Sequence, residues 1–168
     1  MIQLFLYLVL LFSTLRGENC SAIIHHITEK LPCHGVLKNA NGFIYVDIED
    51  RYIHELIQFI VQQGYEEPPY FGDGLVGAHI TVMNQAEGIK AVEECGQLIE
   101  FVPLSCQVVR PEKLRGVLEA YLVIVEAPEL DLLREKYHLV SRKHPYHITI
   151  GVKYSSEESP PVAHRARS

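Results

Sequence analysis

Gly77-Ala78-His79-Ile80-Thr81-Val82-Met83 and Pro145-Tyr146-His147-Ile148-Thr149-Ile150-Gly151 are the two stretches from which the chain is best read. Each holds His-Ile-Thr followed by an aliphatic residue, inside a β-branched, apolar run, which predicts two strands. Residues two apart on a strand share a face. His79 and Thr81 therefore share one face, backed by Ile80 and Val82. His147 and Thr149 share another, backed by Ile148 and Ile150. Each strand offers an imidazole and a hydroxyl to an open surface and anchors itself with aliphatics.

Facing each other, the two pairs make a compact site. Two imidazoles can give and take protons near neutral pH, and two hydroxyls can hydrogen-bond an anion. One neutral and one charged imidazole suit the opening of a cyclic phosphodiester. With nine histidines in 168 residues, a single His-x-Thr is unremarkable by chance, and the chain has a third, His26-Ile27-Thr28. The paired copies differ from it in their strand-like setting, which Ser21 to Lys30 lacks.

At these residues the chain resembles the 2H phosphoesterase superfamily, named for two His-x-Thr/Ser motifs. The resemblance spans about Gly42 to Tyr154 and is closest over Arg142-Lys143-His144-Pro145-Tyr146-His147-Ile148-Thr149-Ile150. The first motif departs from the pattern in having Gly77-Ala78 before the histidine. The resemblance implies an α+β, bilobal fold: two antiparallel sheets lining a central cleft, helices outside, one motif per lobe. Periodicity alone gives only mixed α and β. The resemblance also implies His79 and His147 as catalytic residues, with His147 as base and His79 as acid. Thr81 and Thr149 would hold the phosphate, without cofactor or metal. The expected activity is hydrolysis of 2′,3′-cyclic phosphodiesters of nucleotides or RNA ends. The competing expectation is a non-catalytic nucleotide-binding module on the same fold. A metal site built on His144-Pro145-Tyr146-His147 has poor geometry, because residues three apart on a strand face opposite ways.

Outward from the motifs, the loop from Tyr65 to Gly77 runs into the first one, and its Tyr70 and Phe71 are candidates for stacking a base. Tyr146 is a further candidate contact to substrate. Arg142, Lys143 and His144 could steer a phosphate, or simply solvate a basic turn. Asn41-Gly42 predicts a turn before a strand from Phe43 to Ile48. Apolar residues at Ile53, Leu56, Ile57, Ile60 and Val61 predict a helix ending at Gly64, with His54 at its surface. A helix is possible over Ala22–Leu31, and Gln85–Cys95 has helical character. Leu98–Val102 and Leu104–Val109 read as strands broken at Pro103, and Val117–Val125 as a buried strand. A helix follows from Glu126 to about Val140, and the second motif strand ends near Tyr154.

The net charge of −6 does not favour a long duplex as partner. A nucleotide or RNA end is the expected substrate, and a monomer the expected state. Residues 1–17 read as a signal peptide, too short to span a bilayer comfortably. This implies a secreted or periplasmic protein with no stable membrane insertion after cleavage; the alternative is an uncleaved anchor or a core strand, with a cytoplasmic protein if the run is not a signal. The phosphoesterase-like domain then covers 18–154, and 155–168 reads as a disordered tail. Cys20, Cys33, Cys95 and Cys106 permit two disulfides in an oxidising compartment, in any of three pairings.

Overall fold

The computed structural model describes residues 19–70, 76–111 and 116–155. The expected signal peptide, Phe71 and nearly all of the expected tail lie outside these. Residues 19–30 are helical (α1), with Ile23 and Ile27 fully buried. The chain then forms β1 (His34–Ala40) and β2 (Phe43–Asp47). Asn41 and Gly42 join them with φ of 52° and 85°, the left-handed pair that a tight two-residue hairpin requires. Strand β1 has little apolar content, and only Gly35 and Leu37 face inward. Its sequence alone gave no reason to expect a strand.

The helix expected between Ile53 and Gly64 is shorter and broken. Helix α2 covers only Arg51–His54, followed by two 3₁₀ turns at Ile57–Phe59 and Val61–Gln63. Tyr52, Ile53, Leu56 and Ile60 are buried, while Val61 is 51% exposed. The apolar period was real, but the segment tightens to keep these side chains on the sheet. Gly64, at φ 83°, ends it. Strand β3 (His79–Met83) follows. The expected helix over Gln85–Cys95 is absent. A single 3₁₀ turn, Gln85–Glu87, is closed by an Asn84/Glu87 capping box and stopped by Gly88 at φ 80°.

Strands β4 (Leu98–Glu100) and β5 (Val102–Val109) are separated only by Phe101, so the break falls two residues before Pro103. Phe101 is buried and its N–H bonds to the Cys33 carbonyl at 3.0 Å. Strand β6 (Val117–Glu126), helix α3 (Pro128–Lys136) and strand β7 (Tyr146–Tyr154) complete the described chain. Helix α3 buries Leu130 and Leu133 and stops before His138, which has a φ of 57°.

The described strands form one antiparallel sheet in the order β4-β1-β2-β3-β7-β6-β5. The expectation of two separate sheets is thus replaced by one continuous sheet in an α+β chain. Its edge strands, β4 and β5, are neighbours in sequence, which requires the sheet to curl until both edges meet near Phe101. Pro103 sits on the edge strand, beside a bulge against β6, where its missing N–H disrupts no interior ladder. The two halves of the sheet, each holding one motif strand, join at β3 and β7 through the pair Ile80–Ile148.

One face of the sheet carries the core. Ile44, Val46, Ile80, Val82, Val123, Ile148 and Ile150 pack with residues of α1, α2 and α3. The other face carries the His and Thr side chains of both motif strands.

Candidate active site

The burial alternation of β3 places Ile80 (0% exposed) and Val82 (1%) in the core, with His79 and Thr81 half-buried on the opposite face. Strand β7 repeats this with Ile148 and Ile150 inward and His147 and Thr149 outward. In an antiparallel ladder centred on Ile80–Ile148, Thr81 stands across from His147, and His79 across from Thr149. The two histidines then lie on a diagonal, as neighbours about 7–8 Å apart in a regular ladder. His147 helps to hold the His79 pKa down.

Both imidazoles are held in the same way. His79 Nδ1 lies 2.7 Å from the Gly77 carbonyl, and His147 Nδ1 lies 3.0 Å from the Pro145 carbonyl. A carbonyl oxygen only accepts, so each Nδ1 carries the hydrogen. In the neutral ring the basic lone pair is then on Nε2. Burial lowers the pKa of both histidines below the ordinary value, and the backbone carbonyls partly oppose this. The other neighbours differ. Asp47 favours the charged form of His79, whereas Arg142 and His144 disfavour that of His147.

The departure at Gly77-Ala78 has a structural reason. Asp50 Oδ1 accepts a bond of 2.9 Å from the Ala78 N–H. A Cβ added at Gly77 would lie 2.0 Å from that same oxygen. Asp50 thus uses the space that Gly77 leaves, and anchors the backbone just before His79.

Tyr70 belongs to the same anchor. Its hydroxyl donates to Asp50 Oδ2 at 2.5 Å and lies 3.3 Å from His54 Nε2, while His54 Nδ1 is 2.9 Å from Glu67 Oε1. The ring packs against the core. Tyr70 therefore fastens the loop ahead of β3, and His54 is part of that fastening instead of a solvated surface group.

Tyr146 does not face the site. It alternates with His147, is 5% exposed, and its hydroxyl lies 3.1 Å from Asp131 Oδ1. Its ring supports the guanidinium of Arg142 at 4.6 Å, and Arg142 Nη1 donates to the Thr81 carbonyl. Arg142 thus ties the approach to β7 onto β3.

Sequence reasoning missed the wall beside His79. Tyr45 pairs with Thr81, and Asp47 with His79, across β2 and β3. Phe43 and Tyr45 stack with centroids 5.2 Å apart, and both meet His79 edge-on at 5.8 and 6.0 Å. The two-residue period of Phe43-Ile44-Tyr45-Val46-Asp47 was the available signal, but only strand pairing says which face it joins. On the other side, Leu122 and Ile124 of β6 pair with Thr149 and His147 and form an apolar flank.

The third motif copy is structural. His26 and Thr28 lie on α1, with His26 Nε2 2.8 Å from Glu55 Oε2 and Thr28 bonded to carbonyls of its own helix. Among the described residues no three His, Cys, Asp or Glu side chains gather as metal ligands would. All four cysteines are thiols. The Cys106 thiol points to the Cys20 carbonyl at 3.8 Å, a contact between α1 and β5.

A family model for the Swiss Army Knife 2H phosphoesterase domain matches residues 44–157, which include both motif strands and all the elements between them. No curated protein and no solved structure matches the chain. With the family's domain spanning well over half of its length, this chain belongs to the 2H phosphoesterases, and a phosphoesterase-type function follows.

Proposed function

We propose that the protein is a phosphodiesterase that opens 2′,3′-cyclic phosphodiesters of nucleotides or RNA ends by two-histidine acid and base catalysis. The observation that carries this reading is the matched pair of imidazoles on adjacent strands. Each is fixed through Nδ1 by the carbonyl two residues earlier, with Nε2 as its proton-transferring nitrogen.

The electrostatics differ between the two rings. Burial and then Arg142 and His144 disfavour the charged form of His147, which suits a base, whereas His79, also lowered chiefly by burial, has Asp47 opposing that shift. His147 Nε2 takes a proton from water as the water oxygen bonds to phosphorus. The bond from phosphorus to the 3′ oxygen breaks, and His79 gives that oxygen its proton. The phosphate remains on the 2′ oxygen. Thr81 and Thr149 donate hydrogen bonds to the non-bridging oxygens, and the Phe43–Tyr45 wall offers a flat surface to a base. No step in this scheme requires a metal ion.

The test is hydrolysis of 2′,3′-cyclic mononucleotides in EDTA by the wild type, His79→Ala and His147→Ala. Removal of a positioned acid or base should slow turnover by about 10²–10⁴-fold in each variant. Wild-type binding without turnover would favour a nucleotide-binding module. Turnover that persists in both variants would place the chemistry elsewhere.

A further inference from the structure

We propose that a hollow beside Thr81, between the end of β3 and the segment leading into β7, is a second anion subsite that takes a further phosphate group of the substrate. This rests on the phosphodiesterase reading and extends it. In an RNA end, that group is the phosphodiester next to the terminal cyclic phosphate. In a mononucleotide it is a 5′-phosphate.

The hollow encloses about 320 Å³, and its lining includes Thr81, Arg134, Arg142, Lys143 and Glu87. It is contiguous with the catalytic face, because Thr81 belongs to both and stands across from His147. Its charge runs against that of the protein: three permanent cations meet one carboxylate, in a chain of net charge −6. That carboxylate is already engaged. Glu87 Oε1 accepts from Arg134 Nη2 at 2.7 Å, and Oε2 accepts from the Asn84 backbone at 2.8 Å.

The cations have different duties. Arg134 is 5% exposed and braces the floor through the Val82 and Val140 carbonyls, at 2.7 and 2.8 Å. Its buried Nε has no partner among the described residues. Arg142 spends one nitrogen on the Thr81 carbonyl, and its guanidinium lies over the Tyr146 ring. This leaves the other donors of its planar fork for an anion. Lys143 makes no hydrogen bond or ion pair among the described residues and sits at the rim. A prearranged guanidinium with a lysine beside it is the usual chemistry for holding a phosphate group.

The test compares adenosine 2′,3′-cyclic phosphate with and without a 5′-phosphate. One or two charge-assisted bonds should raise kcat/KM about ten- to hundredfold for the 5′-phosphorylated compound, chiefly through KM. The ratio should fall towards one in Lys143→Ala and in high salt. Equal kcat/KM for the two compounds, or a ratio unchanged in Lys143→Ala, would overturn the subsite. If neither compound is hydrolysed, the phosphodiesterase reading fails first, and pyrophosphate binding measured by calorimetry decides the subsite. Binding that survives His147→Ala and weakens in Lys143→Ala would support it. No binding, or binding indifferent to Lys143, would overturn it.

Discussion

Replacing Gly77 by alanine should uncouple the first motif from its anchor. Gly77 has no left-handed φ, so its backbone tolerates alanine and the effect is purely steric. The new Cβ would lie 2.0 Å from Asp50 Oδ1 and 2.8 Å from its Cγ. Ordinary contact begins near 3.4 Å, so the carboxylate must retreat by well over an ångström. Its 2.9 Å bond from Ala78 N–H is then lost. A hydrogen bond to a charged group contributes about 1.5–3 kcal/mol. At about 2–4 °C per kcal/mol for a chain of this size, the melting temperature should fall by about 3–12 °C. Because the Gly77 carbonyl also holds His79 Nδ1, kcat/KM for a cyclic phosphodiester should fall as well. A misplacement of about 1 Å can lower a rate by about 10²-fold.

The decisive comparison is the same substitution in an Asp50→Ala background, by thermal melts of all four proteins. With the carboxylate gone, Gly77→Ala loses its clash and keeps only the reduction in unfolded-chain entropy. It should then stabilise by about 0.4–1 kcal/mol. The predicted sign therefore reverses between the two backgrounds. An equal destabilisation in both would refute the role given to Asp50.

Three further predictions concern titration and the thiols. Both motif imidazoles are held below 6.5, so if they act as the proposed acid and base, kcat/KM should follow a bell whose maximum lies on the acid side of that value. A profile that rises steadily across neutral pH would contradict paired acid and base. The same shifts mean that the unfolded chain binds more protons below about pH 6.5. Stability should therefore fall as pH drops from that value through the folded pKa values, and the urea midpoint should be lower near pH 5.5 than near pH 7.5. Burial, with Cys20 alongside, pushes the Cys106 thiol up, whereas Cys95 is exposed. Iodoacetamide near pH 8, followed by mass spectrometry, should label Cys95 well before Cys106. Equal rates would count against the contact between α1 and β5.

The motif strands were readable because their period is local. His79 and Thr81 face outward for the same reason that Ile80 and Val82 face inward, and the same holds from His147 to Ile150. Strand β6, helix α3 and the end of β7 at Tyr154 were readable from continuous apolar runs, an acidic helix start and the turn residues. The segments that failed lacked such autonomy. Strand β1 is a strand because β2 and β4 pair with it. The stretch from Ile57 to Gln63 tightens into 3₁₀ turns to seat Leu56 and Ile60.

The sequence by itself thus determined the chemical inventory: two imidazoles and two hydroxyls on strands, with apolar backing. It could not say which strands would be neighbours. Pairing β3 with β7 at Ile80–Ile148 put Thr81 across from His147, while Arg142 and Asp47 came to bear on different histidines. It also turned Tyr146 and Tyr70 into supports and brought Phe43 and Tyr45 beside His79. Side-chain parity is local to a strand, whereas strand order and the curl of the sheet are set by burial summed over the whole chain. The juxtaposition of the motifs, and the roles of the residues around them, were therefore decided only in the tertiary structure.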